Sequence, residues 1–204
     1  RNMGKPEEAI EFFDKYIEKV PNHPNPYIGR AKSLYVMQEY EKALECCEKA
    51  ISLDDKYIEG YYSKAHILLQ MDKYEDVLEL LDKIKEIDPE FPMFYYDRAE
   101  VFKRMGNHEK ALQEIDIYLE KFPDDGYAHE KRANILFTLG RLDEAIEECD
   151  KAIEFEPELL DAYYGKGYIL YYTGRFKESL SYFHKVIELN SKSAYAYYSK
   201  GNAL

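Results

Sequence analysis

The chain has 204 residues, with 28 basic and 40 acidic side chains and a formal charge of −12. That balance excludes a typical nucleic-acid binder, which sets clustered Lys and Arg against phosphates, and it disfavours an anionic membrane surface. Apolar residues make up 46 %, enough for a packed core, while 10 Gly and 8 Pro are too few for a fibrous or low-complexity chain.

The length equals six times 34, and the sequence repeats itself at a shift of 34 without an insertion or deletion. Residues 1–23 carry the second half of one unit, with Ala9 in register with Ala43. Complete units run 24–57, 58–91, 92–125, 126–159 and 160–193, and residues 194–204 begin another. In the first, Tyr27, Ala31 and Leu34 are spaced four and three apart, the signature of one helix face. The second repeats this with Tyr61, Ala65 and Leu68, and again on a second helix with Val77, Leu81 and Ile84. The third, fourth and fifth units bring Ala99, Ala133 and Gly167 into the same small column, and Gly201 follows. Between the two helices stand Gly106, Gly140 and Gly174, suited to a left-handed turn residue. Between units stand Pro89, Pro123 and Pro157, which stop a helix and can open the next. Each unit therefore predicts a helix A, a tight turn, a helix B and a short loop.

The small residues have a packing reason: two helices approach closely only where side chains are short. The aromatic column Tyr27, Tyr61, Tyr95, His129, Tyr163 and Tyr197 is expected to fill the space around that crossing. One further column is basic throughout: Arg30, Lys64, Arg98, Arg132, Lys166 and Lys200. It reads as stems that cover the core while their charges meet the acidic column Glu48, Asp82, Asp116 and Asp150, or alternatively as a ladder for an acidic ligand.

A unit reading Tyr163, Lys166, Gly167, Leu170, Gly174, Phe176, Ser179, Phe183 and Val186 resembles the tetratricopeptide repeat family, and the resemblance runs over the whole chain. It implies an all-α fold, a right-handed α-solenoid of helix–turn–helix repeats with about 12 helices in one continuous domain. It also implies that the A helices line a concave surface that binds partners. Asp55 and Ser191 depart from the family pattern by replacing the terminal Pro, and Ile84, Tyr118 and Val186 by replacing an Ala of helix B, where wider helix packing is expected. The family's carboxylate clamp for chaperone tails is not matched: its places hold Tyr62, Ser63, His66, then Tyr96, Asp97, Glu100, then Glu130, Lys131, Asn134.

The helix A side away from the core stripe collects much of the tyrosine, of which the chain has 21 and no Trp. The expected partner groove comprises Tyr62, His66, Tyr96, Glu100, Tyr127, Lys131, Asn134, Tyr164, Tyr168, Tyr172 and Tyr198, with its densest cluster at Tyr164–Tyr172. Tyr is a common anchor at binding surfaces, being large, rigid and polar at its tip. The competing reading buries these rings between adjacent A helices.

Catalytic chemistry finds no foothold. The five histidines sit in different units and faces, without metal-ligand spacing. Cys47 and Cys149 read as buried apolar residues, and Cys46 has no base beside it in the sequence. No phosphate loop or nucleophile elbow occurs, so no enzyme activity, cofactor or metal is expected. Unpaired thiols fit a reducing compartment, and the cytoplasm is the expected location. The function expected is a non-catalytic protein-interaction scaffold that takes a peptide or partner helix in the Tyr-rich groove. Alternatives are a structural module that self-assembles by end-to-end stacking, or an adaptor segment of a larger enzyme. The repeat phase bears on the second, because residues 194–204 and 1–23 are complementary parts of one unit; it predicts a fragment of a longer array with self-association through its ends.

Overall fold

The computed structural model describes residues 5–204. Among the described residues there are twelve α-helices and no strand. They are α1 (Pro6–Lys19), α2 (Pro24–Val36), α3 (Tyr40–Leu53), α4 (Ile58–Gln70), α5 (Tyr74–Ile87) and α6 (Phe94–Arg104). Then follow α7 (His108–Lys121), α8 (Gly126–Thr138), α9 (Leu142–Phe155), α10 (Leu160–Tyr172), α11 (Phe176–Leu189) and α12 (Ala194–Ala203). The odd-numbered B helices start at intervals of 34 from Pro6 to Phe176. The A helices keep the same interval except α6, which starts at Phe94 after a turn in which the Phe94 N–H donates to the Phe91 carbonyl at 3.3 Å.

The turn from helix A to helix B is the same in five units. One residue takes a left-handed φ: Gln38 at 62°, Asp72 at 57°, Gly106 and Gly140 at 76°, and Gly174 at 78°. The following N–H then reaches back to close the helix end, as from Glu39 to Leu34 O at 3.0 Å and from Arg175 to Leu170 O at 2.8 Å. Three units fill this position with glycine, which takes the conformation without a Cβ penalty; the first two do not.

The chain divides into two compact units, the first ending at Phe94 and the second beginning at Tyr95. In the first, α1 packs on α2, α2 on α3, α3 on α4 and α4 on α5. Its core is built from Ala31, Ala43, Cys47 and Ala50, each without exposed surface, and continues through Leu81 and Ile84. In the second, α7 packs on α8, α8 on α9, α9 on α10, α10 on α11 and α11 on α12. Ile135, Leu136, Leu170 and Phe183 are fully buried there. The small column has its sharpest case at Gly167, where a Cβ would lie 2.9 Å from Phe183 Cε1, so only glycine lets α11 come this close to α10.

The aromatic column departs from its expected role. Only His129 is buried; Tyr27, Tyr61, Tyr95 and Tyr163 are half-buried posts rather than core filler, and Tyr197 is 54 % exposed. Their polar tips explain the position. Tyr27, Tyr61 and Tyr163 donate their hydroxyls to the carbonyls of Pro21, Asp55 and Pro157 at 2.9, 3.1 and 3.0 Å. Each acceptor lies six residues back, in the loop that precedes helix A. His129 keeps the pattern by placing Nε2 2.8 Å from the Pro123 carbonyl. These four members of the column thus tie the loop before their helix to the helix itself, each satisfying a loop carbonyl.

The basic column resolves in favour of the packing reading. Lys64 donates to Glu48 at 3.0 Å, Arg132 to Asp116 at 2.7 Å, and Lys166 to Asp150, each pair sixteen residues apart. Arg30 follows the same spacing to Asp14 at 2.8 Å. The cations also reach forward by sixteen to their own helix B: Arg98 to Glu114 at 2.9 Å, Arg132 to Glu148 at 3.1 Å, and Arg30 Nη1 to Cys46 Sγ at 3.1 Å. Lys166 sits 4.9 Å from the centre of the Tyr182 ring. Arg30, Arg132 and Lys166 thereby bridge two consecutive B helices across an A helix, and Lys64 and Arg98 each hold an acid on one of them, so these charges are spent inside the scaffold.

All three thiols are buried. Burial pushes Cys47 and Cys149 up to about 12, and it also raises Cys46 despite the Arg30 guanidinium beside it. None is a thiolate near neutral pH, as apolar burial of a thiol dictates.

Candidate functional site

Two cavities at equivalent places in the repeat open on helix A surfaces, one in each compact unit, and a third of about 450 Å³ lies between α10 and α12, lined by Asp161, Tyr164 and Tyr195 among others. The first has a volume of about 300 Å³ and lies between α2 and α4. Ala31, Lys32 and Tyr35 come from α2, while Glu59, Tyr62, Ser63, His66 and Ile67 come from α4. Tyr62 stands edge-on to His66 at 4.6 Å and to Phe91 at 5.4 Å, which fixes both rings at the mouth. Burial against this wall holds the His66 imidazole below its usual value, with Glu59 opposing, so it is a neutral donor–acceptor near neutral pH. Lys32 and Glu59 form an ion pair across the rim.

The second cavity, of about 330 Å³, lies between α8 and α10 with α9 beneath it. Glu130, Asn134 and Phe137 line it from α8, and Asp161, Tyr164 and Tyr168 from α10. Cys149 of α9 lies at the floor beside Gly165, where an added Cβ would meet only the Cys149 sulfur, at 3.7 Å. The missing side chain of Gly165 is part of what keeps this space open. Phe137 makes edge-on contacts of 5.6 Å with both Tyr168 and Tyr172, and Tyr164 stacks on Tyr168 at 6.3 Å. Tyr168 is 41 % and Tyr172 66 % exposed, so the cluster forms an aromatic ledge rather than a sealed core.

The eleven residues expected in the groove are distributed unevenly. Tyr62 and His66 meet in the first cavity, and Asn134, Tyr164 and Tyr168 in the second, with Tyr172 on its ledge. Tyr96, Glu100 and Lys131 form a separate, internally satisfied group. Lys131 donates to Glu100 at 2.6 Å and lies 4.5 Å from the centre of the Tyr96 ring, whose other neighbour is Tyr118 at 5.3 Å. Lys103 and Arg104 also hold Glu100, at 3.1 and 3.0 Å. Burial raises the Glu100 carboxyl, but these cations outweigh it and bring it down to about 2. Tyr127 and Tyr198 are 55 % and 72 % exposed and line neither cavity.

Residues outside the expected set complete the cavities: Glu59 and Lys32 on the first rim, Asp161 and Gly165 in the second. The signal that finds them is register. Glu59 and Asp161 hold the same place in the 34-residue unit, one turn before the tyrosines Tyr62 and Tyr164. Among the described residues no helix is long and apolar enough to cross a membrane, and no group of three or more His, Cys, Asp or Glu side chains is arranged to hold a metal ion.

Comparison with known proteins agrees with this architecture. Tetratricopeptide repeat models match residues 96–158 and 160–193, and the model for anaphase-promoting complex, cyclosome, subunit 3 matches residues 2–84. No curated protein matches the chain. Among solved structures, YrrB, described as a tetratricopeptide repeat protein with an unusual peptide-binding site, is 25 % identical, with 95 % of this chain and 100 % of that one covered and a TM-score of 0.63. A tetratricopeptide repeat protein from Parabacteroides merdae is 19 % identical over 100 % of this chain and 79 % of its own, with a TM-score of 0.80. Yeast Tom70 is 22 % identical over 100 % of this chain and 43 % of its own, with a TM-score of 0.79. Paired antiparallel helices repeated every 34 residues, with surfaces of this kind between them, make a protein-interaction scaffold, and the chain belongs to the tetratricopeptide repeat family.

Proposed function

We propose that this chain is a non-catalytic scaffold that captures a peptide or partner helix on its helix A surfaces, within the repeat units bounded at 24, 58, 92, 126, 160 and 194. One observation carries the reading: Tyr168 and Tyr172, 41 % and 66 % exposed, flank Phe137 at the mouth of a cavity between two A helices. Large rings left on a ledge beside an open cavity are what binding anchors require, since a partner's apolar side chain buries both them and itself. YrrB, at 25 % identity, is named for a peptide-binding site, which supports the same use of this fold. The test is selection of ligands from a random-peptide display library. The ligands obtained should lose on the order of tenfold in affinity when Tyr168 and Tyr172 are both changed to Ala. Unchanged affinity overturns the assignment.

A second reading has its own support. Tyr195 and Tyr198 on α12 are 76 % and 72 % exposed, and Phe12 on α1 is 73 % exposed. Stacking of α12 from one copy on α1 of another would cover these rings in a head-to-tail contact. Light scattering over a concentration series tests it: a mass that stays monomeric at the highest concentration rules it out, and growth that Tyr198→Asp abolishes supports it.

A further inference from the structure

The two cavities occupy equivalent places in the repeat, so one can be read against the other. In the first, Lys32 of α2 neutralises Glu59 of α4 across the rim. The second has Asn134 where Lys32 stands and Asp161 where Glu59 stands, so the acid is kept and its cation is gone. A further acid, Glu130, lines the second cavity at the place that Ile28 takes in the earlier unit. Neither Glu130 nor Asp161 is hydrogen-bonded or ion-paired among the described residues. The cations whose charges reach Glu130, Lys103 and Lys131, are committed to Glu100 at 3.1 and 2.6 Å. Burial and the Asp161 charge together push the Glu130 carboxyl above its usual range, the mark of a negative charge without a counter-ion. The rings of Tyr164 and Tyr168 share the same wall. Carboxylates and aromatic faces around an open cavity suit a cationic side chain, which gains ion pairing and the attraction of the ring faces together.

We infer that the cavity between α8 and α10 is a pocket for a lysine or arginine side chain of a bound peptide, whose charge takes the place that Lys32 fills in the first cavity. The inference rests on the scaffold reading above and names the chemistry of its ligand: a segment carrying at least one basic anchor. A chain of charge −12 also attracts basic segments at long range, so the test must separate the pocket from the overall field.

The experiment again uses a random-peptide display library. The wild-type protein should select peptides with Lys or Arg enriched at one position. For a selected peptide synthesised with Lys there, changing that residue to acetyl-lysine should weaken binding on the order of tenfold. Glu130→Gln should cause a similar loss, while Glu154→Gln, an equal change of net charge on the exposed face of α9, should cause almost none. Asn134→Lys should fill the pocket from within, as Lys32 does in the first unit, and remove the preference for basic residues. Gly165→Leu, which extends a side chain into the cavity, should do the same by bulk. Equal effects of Glu130→Gln and Glu154→Gln would overturn the pocket, as would retained basic selection by Asn134→Lys. Peptides selected without any basic position would overturn the pocket while leaving the scaffold reading intact. A library that yields no peptide at all would contradict both.

Discussion

The imidazole of His129 lies with Nδ1 2.6 Å from Glu148 Oε2 and Nε2 2.8 Å from the Pro123 carbonyl. Both partners accept hydrogen bonds and neither donates, so the ring satisfies both only as the imidazolium. Burial opposes that charge, yet the bonds to Glu148 and Pro123 outweigh it and raise the His129 pKa above 6.5. Glu148, 97 % buried and held also by Arg132 and Lys151, is brought down to about 2 despite its own desolvation.

The first prediction concerns pH. A histidine whose folded pKa is raised stabilises fully below its unfolded value of about 6.5, and that stabilisation is lost as pH rises through the folded value. The Glu148 contribution runs the other way, present above about 4.5 and lost as pH falls towards 2. Thermal unfolding should therefore show a stability that declines from about pH 6.5 upwards. The double variant His129→Tyr/Glu148→Leu imports the Tyr61 and Leu80 pair from the equivalent places of the second unit. It should flatten that slope without lowering stability at alkaline pH, because a well-packed apolar pair commonly replaces a buried ionic one at no cost. An unchanged slope would remove His129 as its source.

The second prediction concerns the turn residue. Gln38 holds φ 62° where Gly106, Gly140 and Gly174 hold 76°, 76° and 78°. A side chain in this region costs about 1 kcal/mol relative to glycine. Gln38→Gly should raise stability by about that amount, read as a higher denaturant midpoint at constant slope. A lower midpoint would mean that the Gln38 side chain compensates its own strain.

The three glycines made these turns legible in the sequence, and the repeat they punctuate made the helix pairs legible too. The turn at Gln38 follows from register alone, since its residue type argues against the conformation, whereas Asp72 is of a type that tolerates it. The purpose of the aromatic column was hidden for a different reason. Helical spacing shows that Tyr27 and Tyr163 share a face, but not that their hydroxyls reach carbonyls six residues back. The candidate site was half visible. Spacing placed Tyr164 and Tyr168 on one helix, whereas the cavity depends on what stands opposite them and on the emptiness at Gly165. Lys131 shows the opposite failure: its place in the repeat faces the groove, but Glu100 of the preceding A helix claims its charge.

The third prediction weighs two members of the basic column. Lys64 and Glu48 pair at 3.0 Å with side-chain exposures of 24 % and 61 %, so solvent screens them. Lys64→Met should change stability by about 0.5 kcal/mol or less. Arg132 pairs with Asp116 at 2.7 Å and also with Glu148 at 3.1 Å, whose side chain is only 4 % exposed. Arg132→Met withdraws one cation from a buried carboxylate and should cost about 3 kcal/mol. Equal losses in chemical denaturation would mean that burial of Glu148 does not set the scale.

The scaffold account is tested most directly by where a ligand sits. A photo-crosslinking phenylalanine analogue placed at Tyr168 on the helix A ledge, or at Ile117 on helix B, presents the same chemistry from two exposed positions of the second compact unit. With a peptide selected by the wild-type protein, irradiation should give a covalent adduct from position 168 and none above background from position 117. Adducts from position 117 alone would place the ligand on the B helices and contradict the account.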